Sequence, residues 1–555
     1  MPSSLRNTAR QPPFPPSDVM VSVDPPFKQV RPNIPHIDAR IAFTAPSQDP
    51  ASRETDEWIN TTHFLPAAWP RSHRRSARSD IYAPDLPSTS ALGELPIDAQ
   101  ASKEEQKRRR EQDFKYFEHM CGGPDTDAQV LRFEELRDVN YKQNHAERIA
   151  EARAANERQL WMAVNRIVPC SPSDAPPSKE HAAKQGITLI LCHANGFHKE
   201  IFEPALHSLI QKLTSDDHRG KYRIDEIWNF DCTHSGHAAS VNRDNLGDTI
   251  AWPDHARDII QFLERYIPQK PTSPGQPVAW PPAFLAPSSK SSSSPSSSRG
   301  SSAAPQQKRR FIALGHSFGG GALNFVLGAR PQLLEGLVLI DPAIVEFDES
   351  GFDSQKLPTE PQEGRMPLPL MIDVPLAKGA IARKDVFANM PEARKYFESK
   401  SFFRAWTDRV LDLHLRFGLR PSHIPPTKAL VADDVDENDL KRTKLELTNS
   451  KWHEGAAFAS TFMGRNGRAI LVEGKYRAWI THLSMCLQGF DNRLLAADID
   501  KLDKGVAFHV EGNHLIAQEN PDLLADYIVK AFDTQSSPET LRQHKLHSKV
   551  QKPRL

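Results

Sequence analysis

The segment that most constrains this chain is a short apolar run, then a glycine-flanked serine, then a helix-like stretch. Residues 311–314 read FIAL, residues 315–319 read GHSFG, and GGALNFVLGAR covers 320–330. A serine in G-x-S-x-G requires a strand before it and a helix after it, because the strained turn between them exposes the hydroxyl and the helix start directs N–H groups towards it. The pattern therefore predicts Ser317 as a nucleophile at the end of a strand.

A serine in this setting takes its histidine from a loop late in the chain. Residues 510–524 read VEGNHLIAQENPDLL, which places His514 between the last predicted strand and a helix that starts near Asn520. His509 is the alternative, but it lies within the strand, where a structural role is expected. We therefore predict that His514 is the general base.

The third group is a carboxylate that follows one of the late strands. Asp341 directly follows the strand residues Leu339 and Ile340. Glu473 lies in the predicted strand RAILVEG, but Arg477 stands where the aspartate of that position is expected. We predict Asp341 as the acid and keep Glu473 as the alternative; the simpler interpretation is that Asp341 only caps a turn.

Acyl transfer also needs two N–H donors for the developing oxyanion. The amide of Phe318, next to the serine, is one of them. The other comes from the loop after the first long strand, HANGFHKE at 193–200. We predict the amide of Asn195, with Gly196 or Phe197 as alternatives, and expect His193 to orient the loop.

Strands alternate with helices from about residue 159, which predicts an α/β fold with a mostly parallel sheet flanked by helices. A long, mostly helical stretch follows at about 345–468. After it the sequence predicts a strand in RAILVEG, a helix in YRAWITHLSMCL, a strand in VAFHV and a helix in ENPDLLADYIVKAF.

Composition indicates that part of the chain does not fold. It has 46 prolines and only 38 % hydrophobic residues, against about 5 % proline and 45–50 % apolar residues in ordinary domains. Residues 1–100 are predicted to be a mostly disordered extension, although 26–43 could add a strand or two. Residues 101–157 form a charged helical segment whose KRRRE run we interpret as a solvated face. Residues 269–308 are predicted to be a disordered Ser/Pro insertion.

Charge and cysteine content exclude several classes of protein. The 70 basic and 70 acidic side chains balance, which argues against a general nucleic-acid binder. The longest apolar runs are too short for a transmembrane segment, and no secretory signal is visible. The five cysteines show no CxxC spacing, so we expect a reducing compartment without a disulfide or metal framework. No metal, cofactor or nucleic-acid partner is expected.

Five blocks together resemble the α/β-hydrolase superfamily, and more narrowly the fungal peroxisomal lipase and host-selective-toxin biosynthesis hydrolase group. The blocks are HANGFHKEIFEP, DCTHSGHAAS, WPDHARD, GHSFGGGALN and GNHLIAQENP. The resemblance covers about 157–533 and implies a cofactor-free hydrolase. It also implies a helical cap at 346–468 inserted into a core of 158–345 and 469–535. We expect the WPDHARD block, His234 and His237 to be structural. The chain departs from the family in its long amino-terminal extension and its Ser/Pro insertion, and neither of them interrupts these blocks.

The last residues, Pro553, Arg554 and Leu555, resemble a peroxisomal address of the Ser-Lys-Leu type. This predicts a tail at 536–555 that an import receptor reads, and a peroxisomal matrix location, with the cytoplasm as the alternative.

The predicted function is hydrolysis of a carboxylic ester or thioester of an apolar acyl substrate. The apolar residues of 386–419 should form the cap core and turn some side chains towards Ser317. The alternatives are a catalytically inactive binding protein with the same fold and, more remotely, a nuclear or RNA-associated protein. The apolar residues in question are Phe387, Phe397, Phe402, Phe403, Trp406, Val410, Leu411, Leu413 and Leu415.

Overall fold

A nine-stranded sheet organises the molecule in a computed structural model. The structure describes residues 22–26, 32–35, 37–84, 103–120, 145–170, 186–267, 309–344, 375–459, 470–472, 474–487 and 493–550. The strands are β1 (Arg40–Pro46), β2 (Thr55–Pro66), β3 (Trp161–Cys170), β4 (Ile187–Cys192), β5 (Ile224–Phe230), β6 (Arg310–His316), β7 (Gly336–Ile340), β8 (Val386–Phe387), β9 (Leu419–Pro421), β10 (Leu445–Leu447), β11 (Trp479–Met485) and β12 (Gly505–Val510).

The helices connect and cover these strands. They are α1 (Lys103–Met120), α2 (His145–Ala154), α3 (Glu203–Leu213), α4 (Gly236–Val241), α5 (Trp252–Gln261), α6 (Phe318–Ala329), α7 (Pro375–Ala382), α8 (Met390–Ser399), α9 (Ser401–Arg404), α10 (Asp408–Phe417), α11 (Glu437–Leu440), α12 (Lys451–Ala459), α13 (Arg493–Ile499), α14 (Ile516–Glu519), α15 (Pro521–Gln535) and α16 (Pro538–Val550).

The strand order in the large sheet is β1-β2-β3-β5-β4-β6-β7-β11-β12. The pairs from β5 to β12 are parallel, and β1, β2 and β3 join antiparallel at one side. Because parallel strands end at one edge of a sheet, the loops after β4, β6, β7 and β12 lie at the same edge.

Each face of the sheet is buried under helices. On one face α5 and α6 cover a cluster that includes Trp228, Trp252 and Phe318, and on the other α3 and α15 cover Leu189, Leu314 and their neighbours. Burial on both faces explains the continuous apolar sequence of central strands such as ITLILC. The predicted mostly parallel α/β sheet is therefore confirmed.

The prediction of a mostly disordered extension over 1–100 is wrong for residues 37–84. Strands β1 and β2 lie in this range and extend the sheet through β3. Both strands lie at one side of the sheet, with β1 as the edge strand, and β2 is only partly covered: in its sequence TDEWINTTHFLP, buried and more exposed positions alternate over the first half. The strand suggested within 26–43 is found only at the end of that range, where β1 begins at Arg40 and runs to Pro46.

The order of strand and helix predicted for 468–487 is also wrong. The helix predicted in YRAWITHLSMCL is β11, and residues 470–472 of the predicted strand are helical. Since β11 pairs with β7 on one side and β12 on the other, tertiary pairing outweighs the weak helix propensity of this segment.

Between β7 and β11 the described residues form a mainly helical layer, α7 to α12, with a small sheet of order β8-β10-β9. Its own core contains Phe387, Phe397, Leu411 and Leu415. The ends of the predicted cap, and all of the predicted Ser/Pro insertion at 269–308, lie outside the described residues.

Candidate active site

Ser317 occupies the turn between β6 and α6 with a left-handed backbone. Its φ is 53° and its ψ is −116°, a conformation that non-glycine residues rarely adopt. The turn is crowded: a Cβ at Gly319 would lie 2.2 Å from the carbonyl oxygen of Cys192. Glycine is therefore required there, and it brings the start of α6 against the end of β4.

His514 and Asp341 meet at the same edge of the sheet. His514 Nδ1 lies 2.6 Å from Asp341 Oδ2, with the carboxylate fully buried and the imidazole partly exposed. The Ser317 N–H donates to the carbonyl of Ile340 at 3.0 Å, which ties the serine turn to the residue before Asp341. Glu473 lies outside the described residues.

Two other histidines, His509 and His316, are placed differently from His514. His509, the alternative base, is exposed on β12. His316, which sequence reasoning missed, is buried, and its Nε2 donates to the carbonyl of His514 at 2.7 Å. Burial lowers the pKa of His316 to about 3, so the ring stays neutral and can hold the His514 loop. Its position inside G-x-S-x-G was the available signal.

The loop after β4 lies beside the serine turn. The buried side chain of Asn195 donates from Nδ2 to the carbonyl of Glu454 at 3.1 Å. The Phe197 N–H already donates to the carbonyl of Ala194 at 3.4 Å. Among the described residues no acceptor is found for the Asn195 N–H. Phe318 is the first residue of α6, where N–H groups have no partner within the helix.

Hydrogen bonds of the His193 ring hold the loop after β4 in place. Its Nδ1 donates to the carbonyl of Ala194 at 2.7 Å, and its Nε2 accepts from the Cys232 N–H at 3.4 Å. Burial lowers the pKa of His193 to about 4, so the neutral ring can both donate and accept. These contacts agree with the orienting role predicted for it.

Residues 189–527 match the family model described as the Alpha/beta hydrolase family. The chain belongs to this family. The match and the sheet order together confirm the predicted fold.

Two curated proteins and one solved structure are similar to this chain. The type I acyl-CoA thioesterase mpaH of Penicillium brevicompactum is 24 % identical over 273 residues, 48 % of either chain. The peroxisomal membrane protein LPX1 of Saccharomyces cerevisiae is 25 % identical over 260 residues, 47 % of this chain and 53 % of that protein. The chain thus spans about half the length of the curated relatives it matches. The solved peroxisomal alpha-beta-hydrolase Lpx1 of S. cerevisiae has a TM-score of 0.48 at 15 % identity, covering 87 % of this chain and 90 % of that one.

A buried ionic cluster anchors the loop of this α/β hydrolase. Lys199 Nζ lies 2.8 Å from carboxylate oxygens of both Asp231 and Glu200, and 2.8 Å from His237 Nδ1. Burial opposes the charge, but the two carboxylates raise the pKa of Lys199. His234 is likewise buried, with its ring edge towards Phe318 at 6.1 Å. Both histidines have the structural setting predicted for them; the Lys199 cluster was not predicted.

The WPDHARD block on α5 binds the amino-terminal segment. The guanidinium of Arg71 lies 2.7 Å from Asp258 and 3.3 Å from Asp254. The same carboxylates accept from the N–H groups of Ala68 and Ser72, both at 2.7 Å. These contacts agree with the structural role predicted for the block. The extension lies outside the family blocks in the sequence, as expected, yet its residues 68–72 bind this block in space. Sequence gave no sign of it, because the partners lie more than 180 positions apart.

None of the helices in the described part of the chain combines the length and apolar character that a membrane span requires.

Proposed function

We propose that this α/β hydrolase is a serine hydrolase that cleaves the carboxylic ester or thioester of an apolar acyl substrate. Ser317 is the nucleophile, His514 the general base and Asp341 the acid. The observation that carries the proposal is the 2.6 Å contact between His514 Nδ1 and Asp341 Oδ2 at the sheet edge that bears the Ser317 turn. Relatives named as acyl-CoA thioesterases support the reaction class.

The first half of the reaction forms an acyl-enzyme. Ser317 Oγ attacks the acyl carbonyl while His514 Nε2 takes the hydroxyl proton. The carbonyl oxygen becomes an oxyanion that the N–H groups of Asn195 and Phe318 stabilise. The bond from carbon to the leaving oxygen or sulfur then breaks, and His514 returns the proton to the alcohol or thiol.

The second half regenerates the enzyme. A water molecule attacks the acyl-serine as His514 takes one of its protons. The Ser317 ester bond breaks, the serine recovers its proton, and the carboxylic acid leaves. Throughout both halves Asp341 accepts the Nδ1–H of His514, which fixes the tautomer and stabilises the imidazolium.

The apolar substrate is inferred from the layer between β7 and β11, which we propose acts as a cap. Trp406 and Val410 belong to one buried cluster with Phe197, in the oxyanion loop, and with Leu515, next to His514. Most of the apolar residues predicted for the cap form its own core, whereas Phe402 is exposed. Buried aromatic and aliphatic side chains beside the proposed reacting groups favour acyl chains over sugars or charged groups.

We also propose a peroxisomal location. The support is a relative whose name places it in the peroxisome. The predicted import signal at Pro553, Arg554 and Leu555 lies outside the described residues and stays a prediction.

A fluorophosphonate probe followed by a graded substrate series tests the proposal. Wild type should be labelled and Ser317→Ala should not, while both keep the same thermal midpoint, because the serine side chain supports no core. Among p-nitrophenyl esters and acyl-CoAs, kcat/KM should rise with chain length. Four more buried methylenes at ~0.8 kcal/mol each give about 3 kcal/mol, roughly a hundredfold.

Two results would contradict this function. An unlabelled wild type would leave the inactive binding protein as the better interpretation. Highest turnover on acetyl esters would contradict the proposed apolar acyl substrate but would not contradict the assignment as a hydrolase.

A further inference from the structure

Helix α12 contacts both walls of the proposed oxyanion hole. We propose that this helix sets the separation of the two N–H donors, with Trp252 and the side chain of Asn195 as positioning residues. The inference rests on the proposed function and deepens it: it identifies which residues outside the reacting groups make the oxyanion hole effective.

One wall is the loop after β4. Asn195 Nδ2 donates to the carbonyl of Glu454 on α12 at 3.1 Å, so the peptide that carries the proposed N–H donor is tied to the helix. The next residue, Gly196, has a φ of +85°, and a Cβ there would lie 2.8 Å from Glu454 Oε1. The Glu454 carboxylate also pairs with Arg383 on the adjoining cap segment, which holds it against the loop.

The other wall is the start of α6. The indole Nε1 of Trp252 donates to the carbonyl of Ala457 on α12 at 3.1 Å. The Trp252 ring then packs edge-on against the Phe318 ring, with 4.7 Å between centroids and an interplanar angle of 71°. Phe318 carries the second proposed N–H donor, so the indole connects α12 to that donor through one ring contact.

The two acceptors belong to one turn of one helix. Glu454 and Ala457 are three residues apart, a rise of about 4.5 Å along an α-helix. The Glu454 carbonyl has a second lone pair for Asn195, and Ala457 lies in the last turn, where carbonyls need donors from outside the helix. A rigid turn that binds both walls fixes their separation more firmly than two independent loops could.

The primary test replaces Trp252 by Phe, which keeps a ring against Phe318 and removes the N–H. Trp228→Phe is the matched control, because Trp228 is also buried and its Nε1 donates to Glu226 at 3.1 Å within the sheet. Loss of an oxyanion donor costs about 10²–10³ in kcat, so a displaced donor should cost about tenfold. We expect that fall in kcat for W252F with KM within about twofold, and W228F within about twofold in both.

Inhibition by an acyl trifluoromethyl ketone separates positioning from general weakening. This ketone forms a tetrahedral oxyanion with the serine, so its Ki in W252F should rise by the factor by which kcat falls. A purely structural role would lower the thermal midpoint and leave Ki and kcat of the folded enzyme unchanged. That result, or equal effects in W252F and W228F, would overturn the proposal.

Asn195→Ala is the second variant and covers the case in which W252F does not fold. It keeps the backbone N–H and removes the amide that binds Glu454. We expect the same loss of kcat and rise in Ki, whereas Asn60→Ala, whose buried amide lies 3.5 Å from Glu203, should change neither. A normal kcat in N195A overturns the Asn195 half. A wild type without turnover overturns the proposed function and this inference together.

Discussion

Two non-glycine residues at neighbouring strand ends adopt positive φ, Ser317 at 53° and Asp341 at 38°. Backbone hydrogen bonds hold both: the Ser317 N–H to Ile340, and the Asp341 N–H to the carbonyl of Leu483 on β11 at 2.8 Å. Such conformations cost about 1–3 kcal/mol each and persist only where the surroundings determine them. The sheet therefore positions Ser317 and Asp341 through main-chain hydrogen bonds. Substitution of either side chain should leave the fold intact.

Replacing Asp341 by Asn should lower kcat by about 10⁴. The amide can present its N–H to His514 Nδ1, which selects the wrong tautomer and does not stabilise the imidazolium. The measurement is kcat on one acyl ester, with thermal midpoints as the check on folding. Glu473→Gln is the comparison and should retain wild-type kcat; a larger loss in E473Q than in D341N would assign the acid to Glu473.

The site residues differ in how far sequence could predict them. Ser317 and His514 stand in local motifs whose chemistry requires a strand end, so the pattern alone selects them. Trp252 was noted only as part of the structural WPDHARD block, and Glu454 was not selected, because their contacts with Phe318 and Asn195 depend on how distant segments pack. Likewise the segment 479–485 carries no local signal that it will be paired on both sides.

At the scale of elements, helix α1 packs on the cap layer rather than standing alone. The Phe117 side chain is buried, and its ring lies 3.1 Å from the position of a Cβ at Gly455 on α12. Tyr116 packs edge-on against Trp452 at 4.9 Å, and Lys451 pairs with Asp113 at 2.7 Å. Helix α1, predicted as a charged helix, therefore supports α12 by direct packing. Its basic side chains lie on the side that faces away from α12.

Phe117→Ala should lower the free energy of unfolding by about 3 kcal/mol, since it removes a buried aromatic ring from a tight contact. It should also lower kcat, because α12 loses its outer support. Urea unfolding and steady-state kinetics measure the two effects. Arg108→Ala, on the exposed face of the same helix, should change stability by less than about 0.5 kcal/mol. Equal effects of the two variants would show that α1 does not brace the cap.

At the scale of the whole molecule, the described fold buries many histidines in neutral form. Burial is the main cause that lowers the pKa of these histidines, and it lowers the pKa of five of them to about 3 or about 4. The clearest cases are His73, His193, His255, His316 and His482. In the unfolded chain each would titrate near 6.5, so below that pH the unfolded state binds more protons than the folded state.

The free energy of unfolding should therefore fall as pH drops from about 6.5 towards 4. Each such histidine contributes on the order of 2 kcal/mol of loss at pH 5, and five together approach the stability of an ordinary domain. Urea unfolding at pH 8, 6.5 and 5.5 measures the slope. Replacing His255 by Asn should reduce the number of protons taken up on unfolding by about one, and the slope of the unfolding free energy against pH should fall accordingly. A stability that is constant or rises with acid would contradict the assignment of these groups as neutral.

The contact between Arg71 and helix α5 has a consequence for synthesis on the ribosome. Arg71 is made 187 positions before Asp258, a delay on the order of 10–40 s at 5–20 residues per second. During that interval the Arg71 guanidinium lacks the Asp258 carboxylate, and β2, which can already pair with β1, lacks its second partner until β3 follows. The proposed catalytic groups come later still, since His514 is the last of them in the chain. Translation order thus leaves the proposed triad incomplete until the chain has been made as far as His514.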